Sequence, residues 1–512
     1  MRFPMSLRTA GTAAAFFFSI MLSPAPASDN GGKAGADDTA RTKPVVTNHS
    51  VKIDGRVIQY RAKAGKMPLR DAEGKVTAEV FFIAYLKKNH EPETRPLTFS
   101  FNGGPGSSSV WMHVGLLGPR RVHLNDDGTA PPPPHRLVDN EYSLLDVSDL
   151  VFIDPVSTGY SRATDPEKEK SFHGLDEDAE SVALFIHNFV TEHKRWSSPK
   201  FLIGESYGTT RAAALARQLQ NRHGMYLNGL MLVSAVFDFS TLQFSEDNDL
   251  PFVLFLPSFA ATAHYHGRLG EDLLARPLED LLREVETFAV ETYAPALLRG
   301  GALPEAEQAE LAADLARYTG LDADIIREHR LRLSARVFFE HLLKDRGKRI
   351  GRFDGRYTGS APTPWDRGSR ADDPSFTHLF GPYTSALNDL LRRELEYKSD
   401  RVYEILTNVW PWDFGDEFRH RYVNVGPRLR EAMRTNPHLR VHVCSGYYDL
   451  ATPYFAFDYT LDRLYLDPDL RANIVVNYYE AGHMMYSVRD ELARQKEALA
   501  AFIRGTVQEM SR

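Results

Sequence analysis

The sequence holds one cysteine in 512 residues. A single thiol forms no internal disulfide, so the chain must be held by packing alone. That thiol, Cys444, lies in an apolar-alternating run over 440–445 and reads as a buried strand residue rather than a nucleophile. Long apolar runs are also missing. After the first residues, none approaches the roughly 20 residues that span a bilayer. Neither sign of charge is in excess, since 61 Lys and Arg stand against 68 Asp and Glu for a net charge of -7. That balance excludes the electrostatic footprint of a nucleic-acid or anionic-membrane binder. No Gly-x-Gly-x-x-Gly cofactor loop occurs. The His264-x-His266 pair has no clustered cysteine or acid, reads as a polar pair, and leaves neither metal nor cofactor expected. What is present is an ordinary globular mixture, 43% hydrophobic and 25% charged, enough for a sizeable core.

The first residues read as an export signal. Arg2 and Arg8 precede a short apolar run over 11–22, and Ala25-Pro26-Ala27 fits a small-x-small cleavage site. The expected organisation is a signal peptide over 1–27 and a Gly/Ala-rich flexible linker over 28–43, with export to the periplasm or medium and no membrane span after cleavage. The other reading of the apolar run is an uncleaved anchor, for which it is short. Two β-patterned stretches, 49–60 and 77–86, predict antiparallel strands at a sheet edge. Short apolar runs at 97–101, 150–153, 201–203, 230–233, 441–444 and 474–479 predict buried parallel strands. Helical patterns at 175–190 and 489–504 carry apolar residues on one face. Strands alternating with helices imply an α/β fold, a mostly parallel central sheet flanked by helices. Residues 239–400 break the alternation with helical patterns at 271–287, 305–318 and 384–397 and a Gly/Pro-rich loop at 351–374. They predict a mainly helical cap inserted into a core formed by 44–238 and 401–512; a separate domain in tandem is the alternative.

Gly204-Glu205-Ser206-Tyr207-Gly208 fits the Gly-x-Ser-x-Gly nucleophile elbow, with an apolar strand before it and a helical pattern over 209–220 after it. Glycines flank the serine because the turn is sharp and its backbone strained. A serine hydroxyl needs a histidine to take its proton and an acid to hold that histidine. In the α/β-hydrolase fold these follow in the order Ser, acid, His. Asp449 and His483 each fall just past a predicted strand, where ligands meet such sheets. They complete the expected catalytic triad; Asp458 and Asp462 are fallback acids in a helical pattern. The oxyanion of acyl transfer needs preformed N–H donors. One is expected from Tyr207, after the nucleophile, and the other from the turn Asn102-Gly103-Gly104-Pro105-Gly106 after the strand at 97–101.

These residues resemble the serine carboxypeptidase family, in a bacterial-type form without disulfides. The similarity lies in 101–109, in Asn140-Glu141-Tyr142-Ser143 leading to 152–161, in Gly204 to Gly208, and in the Asp449 and His483 loops. It covers about 51–238 and 403–503, and the cap carries no family motif. The resemblance implies an exported carboxypeptidase that binds a peptide with a free C-terminus. It implies oxyanion donors at Gly104 and Tyr207, and a substrate-carboxylate site formed by Asn102, the Gly103 backbone and Glu205. A buried, protonated Glu205 could donate to that carboxylate, which predicts an acidic optimum; the other reading is a structural strand-end acid. Three departures stand out. The family's second glutamate, before Leu117-Gly118-Pro119, is Leu116 here, so Glu205 is expected to lack its hydrogen-bonded partner. The family's cysteine is Ser107. The Gly-Thr-Thr-Arg after Tyr207 is closer to some aminopeptidase-type α/β-hydrolases. An esterase or aminopeptidase, or a non-catalytic binding protein on a hydrolase scaffold, therefore remain as alternatives.

Overall fold

The computed structural model describes residues 43–363 and 373–510; the expected signal peptide and nearly all of the expected linker lie outside the described residues. Nine strands form the main path of one sheet: β1 (Val45–Ile53), β2 (Arg56–Arg70), β3 (Val76–Lys87), β4 (Leu97–Phe101), β5 (Asp149–Ile153), β6 (Lys200–Glu205), β7 (Gly229–Val233), β8 (Arg440–Gly446) and β9 (Ile474–Tyr479). Their order is β1-β2-β3-β5-β4-β6-β7-β8-β9, and a short strand at Arg162–Ala163 adds to β3. From β5 to β9 every pairing is parallel, while β1, β2, β3 and β5 pair antiparallel. Each predicted parallel strand is present; all but β9, which forms the sheet edge and leaves Val475 exposed, have their apolar runs buried. The stretch expected as one strand over 49–60 is instead a hairpin. Asp54 and Gly55 both take positive φ, 47° and 78°, and turn the chain between β1 and β2, the conformation Asp-Gly favours.

Helices cover both faces because neighbouring residues of a strand point to opposite sides. Leu202 joins the cluster with α1 (Leu175–Glu192) and α2 (Tyr207–His223). Phe201 and Ile203 join the opposite cluster, which takes in Leu492, Leu499 and Ile503 of the closing helix at Arg489–Met510.

Between β7 and β8 the chain is mainly helical; its first part packs on the same apolar cluster as α1 and α2, and the helix at Pro374–Asp389 packs on the opposite one. It includes α3 (Leu278–Phe288), α4 (Glu305–Thr319) and α5 (Pro374–Asp389), with one small hairpin at Lys348–Ile350 and Thr358–Ser360. The single helix expected over 271–287 is two, Glu271–Leu274 and α3, parted at Pro277. Proline cannot donate into a helix interior and so sits before a new start. The helix expected from 384 begins ten residues earlier, where Asp373 caps it by accepting from Ser375 N and Pro374 takes the first turn. Part of the loop expected over 351–374 lies outside the described residues, and its first half carries the hairpin strand.

One buried ion pair joins this scaffold to the turn after β4. Arg211 of α2, fully buried, donates to Asp178 of α1 at 2.6 Å and to the carbonyl of Asn102 at 2.6 Å. Its guanidinium also lies 5.4 Å from the Phe101 ring centre and 5.3 Å from that of Tyr207. Removing one partner leaves the other charge buried and alone. Arg211→Ala is therefore expected to lower unfolding free energy by about 3–5 kcal/mol in a urea titration. A loss below about 1 kcal/mol, the range of an exposed pair, would contradict the assignment.

Candidate active site

The strand ends bring the predicted residues together. Ser206 follows β6, Asp449 follows β8, and His483 follows β9, all on the carboxyl side of the parallel sheet. Ser206 has φ 58° and ψ -129°, a strained backbone for a residue with a side chain. The strain is held by Ser206 N, which donates to Val233 O at 3.0 Å, and by close backbone approach. A Cβ on Gly204 would lie 2.3 Å from Gly208 O. One on Gly103 would lie 2.5 Å from Tyr207 N, so the turn after β4 can nest against the elbow only as glycine. Tyr207 opens α2, so its N–H is among those that the helix itself leaves without a partner.

His483 Nδ1 donates to Asp449 Oδ2 at 2.7 Å, with side chains 2% and 0% exposed. Asp449 also accepts from Ala451 N at 2.8 Å, Thr452 N at 2.9 Å and the Thr452 hydroxyl at 2.8 Å. On its other side, the carbonyl of His483 accepts from the Ser234 hydroxyl at 2.7 Å. Burial disfavours the imidazolium, but the charge and hydrogen bond of Asp449, helped by Glu205, outweigh it and raise the His483 pKa. The arrangement leaves Nε2 as the ring nitrogen able to take a proton. His483 and Ser206 line the same cavity. Asp458 lies away from this line, in the helix Tyr454–Asp462, and accepts from the Tyr478 hydroxyl at 2.8 Å.

The cavity, about 60 Å³, is walled by Asn102, Gly103, Gly104, Glu205, Ser206 and His483 on the polar side. Trp111, Phe353, Phe376, Leu379, Leu406 and Met484 form its apolar wall. Phe353, Phe376, Leu379 and Leu406 come from the segment between β7 and β8, which narrows the cavity.

Glu205 has a partner after all. The hydroxyl of Tyr486 donates to its carboxylate from the turn just past His483. Leu116, where the resemblance implies a glutamate, is buried in the apolar core. Beside it, a Cβ on Gly115 would lie 2.5 Å from the Tyr486 ring and 2.7 Å from the Tyr383 hydroxyl, so the bare backbone there makes room for both tyrosines. Burial pushes the Glu205 carboxyl up to about 7, with Asp449 adding to the rise. The charge of His483 and the donors Tyr486 and Asn102 hold it back in part. Asn102 Nδ2 is near Glu205 without a hydrogen bond of good geometry, while its Oδ1 accepts from Met112 N at 3.2 Å.

Three contributions escape motif reading. Tyr486 is three residues past His483, in a position that carries no pattern. Arg211, the last residue of Gly-Thr-Thr-Arg, turns to Asp178 and Asn102 O. The apolar wall comes from residues spread over the chain. Of the pair His264 and His266, the latter shares a hydrogen bond with Gly355 O at 2.8 Å. Cys444 is buried in β8.

A family model described as serine carboxypeptidase matches residues 58–253, from β2 through the elbow and β7. Serine carboxypeptidase-like 16 of Arabidopsis thaliana is 28% identical over 176 residues, 32% of this chain and 39% of that protein. Serine carboxypeptidase-like 7 of the same plant is 32% identical over 145 residues, 27% of this chain and 31% of that protein. The matched part thus spans less than half the length of these relatives. The solved structure of Kex1(Δ)p, a prohormone-processing carboxypeptidase from Saccharomyces cerevisiae, superposes with a TM-score of 0.54 at 18% identity, over 87% of this chain and 92% of that one. This likeness establishes the shared α/β-hydrolase fold.

The Tyr486 hydroxyl favours the ionised form of Glu205, so Tyr486→Phe is expected to raise the carboxyl's titration midpoint above about 7. Difference infrared titration of the protonated carboxyl band, assigned by its loss in Glu205→Gln, reads the shift. A midpoint that stays or falls contradicts the bond.

Proposed function

Taking membership of the serine carboxypeptidase family as the premise, we propose that the chain is an exported serine carboxypeptidase releasing C-terminal residues through an acyl-enzyme on Ser206. The reaction follows from the positions of the groups. Ser206 Oγ attacks the carbonyl of the last peptide bond as His483 takes its proton. Asp449 holds the ring and stabilises the imidazolium. The N–H groups of Gly104 and Tyr207 stabilise the oxyanion. His483 returns the proton to the leaving amine, and water then repeats the sequence to free the acyl group.

The observation that carries the C-terminal direction is Glu205. It is buried, adjoins the nucleophile, and has its carboxyl pushed up to about 7. Below that pH it can donate a hydrogen bond to a substrate carboxylate; above it, the ionised group repels one. Asn102 and the Gly103 backbone supply further polar contacts on the same wall. Gly-Thr-Thr-Arg gives no weight to an aminopeptidase, because Arg211 serves the fold rather than the cavity. Peptide cleavage separates this reading from an esterase and from a binding protein on a hydrolase scaffold. In this proposal residues 239–400 act as the cap, its aromatic and aliphatic side chains shaping the cavity. Residues 1–27 act as a cleaved signal. Among the described residues no helix is long and apolar enough to cross a membrane.

The panel that tests this compares a peptide as free acid, as C-terminal amide and as N-acetylated free acid, by mass spectrometry across pH. Expected are loss of the C-terminal residue irrespective of N-acetylation, and at least about tenfold slower cleavage of the amide below pH 7, as the loss of a charge-assisted bond implies. Raising pH through about 7 deprotonates Glu205, so free-acid cleavage falls there and amide cleavage does not. Glu205→Gln keeps a donor at every pH and flattens the fall. Ser206→Ala should lose about 10³-fold or more. Cleavage that requires a free N-terminus, or identical pH profiles for acid and amide, would overturn the proposal.

A further inference from the structure

A five-residue strap, 352–356, runs from the segment between β7 and β8 across both loops that carry Asp449 and His483. It brackets Asp449: Leu450 N donates to Arg352 O at 3.1 Å, and Gly355 N donates to Tyr448 O at 3.0 Å. It also grips the histidine loop. His483 N donates to Phe353 O at 2.6 Å, and Gly482 N donates to Asp354 Oδ2 at 3.0 Å. Gly482 can lie there only as glycine, since a Cβ would sit 2.3 Å from Phe353 O and 2.4 Å from Asp354 Cβ.

Asp354 is the pivot. It is 4% exposed and meets Arg356 through two bonds, Nε to Oδ1 at 3.0 Å and Nη2 to Oδ2 at 2.6 Å. Arg356 reaches on to Glu480 O at 2.7 Å, upstream in the same loop, and its guanidinium lies 4.9 Å from the Tyr448 ring centre. The carboxylate and its partner thus hold the histidine loop at both ends, Glu480 and Gly482. From behind, Phe353 N donates to the Ser375 hydroxyl at 3.0 Å and Arg352 N to Asp373 at 3.1 Å, which ties the strap to the start of α5. The Phe353 ring faces the His483 imidazole, with centroids 5.1 Å apart, and lines the cavity.

The core joins the strand ends without the strap, through Tyr447 N to Tyr479 O at 3.0 Å and Tyr448 N to Ala481 O at 3.0 Å. It does not supply acceptors for the N–H groups of Gly482 and His483. Those two peptides fix the Cα from which the imidazole is aimed. We propose that Asp354, braced by Arg356, is a positioning residue that sets the approach of His483 to Ser206, so that the catalytic line is completed by the segment between β7 and β8. The inference rests on the triad reading above.

Ser206 reactivity tests it directly, because phosphonylation by a fluorophosphonate depends on the imidazole's aim and not on peptide binding. The full chain is compared with Asp354→Ala, Arg356→Gln and Arg356→Lys for labelling rate, kcat, KM and thermal unfolding. Misplacing a catalytic group by about 1 Å costs on the order of 100-fold. Asp354→Ala is therefore expected to lower labelling rate and kcat by about 100-fold with KM changed less than about threefold. Arg356→Gln leaves the Asp354–Gly482 bond in place, so its loss is smaller, about tenfold on the same scale, and Arg356→Lys recovers part of it. If Asp354→Ala does not fold, the two Arg356 variants decide the matter. A wild type that resists the probe overturns the triad reading and this inference with it. A labelled wild type, with folded variants labelled equally fast or changed only in KM, overturns this inference alone.

Discussion

The 2.7 Å contact between His483 Nδ1 and Asp449 Oδ2 is the constraint around which the site is arranged. Both groups are out of water, and an imidazole beside a buried carboxylate has one good orientation. Ala451, Thr452 and Ser234 fix the surroundings of the pair from the core. The strained backbone of Ser206 then brings a hydroxyl to the cavity that the ring also lines. Ser206, Asp449 and His483 are far apart in sequence. The parallel sheet makes them neighbours by ending β6, β8 and β9 on one side.

Two carboxylates share this small space in different surroundings. Asp449 is ringed by backbone and hydroxyl donors. Glu205 is enclosed by apolar walls and a tyrosine, and its carboxyl rises to about 7. Environments that differ in this way let one acid hold the imidazole by accepting from it and the other serve as a proton-bearing donor. The two are coupled through His483: its charge lowers Glu205, and Glu205 raises it. The proposed working state has the histidine neutral and the glutamate protonated, which removes the repulsion between Glu205 and Asp449.

The parallel strands and the elbow could be read from the chain because their signals are local. Phe201-Leu202-Ile203 followed by Gly-x-Ser-x-Gly names a strand, a turn and a helix in one stretch. Asp449 and His483 were legible through order and strand position. Boundaries were less so: the Asp54-Gly55 turn splits a stretch expected to be one strand, and Pro277 splits a helix whose periodicity runs on. The supporting residues were not legible, for a physical reason. Tyr486, Arg211 and Asp354 act through contacts at 281, 109 and 128 residues' separation, to Glu205, Asn102 and Gly482. Sequence periodicity has no term for such contacts. Where the resemblance implies a glutamate at 116, the fold meets Glu205 with a hydroxyl from another element.

The most direct measurement is the pH dependence of the rate at which a fluorophosphonate labels Ser206, in the wild type and in His483→Ala. A proton-transfer line through His483 predicts a rate that climbs with pH above the ordinary imidazole value of about 6.5, and labelling that all but disappears without the ring. A flat profile, or a variant labelled as fast as the wild type, would contradict it.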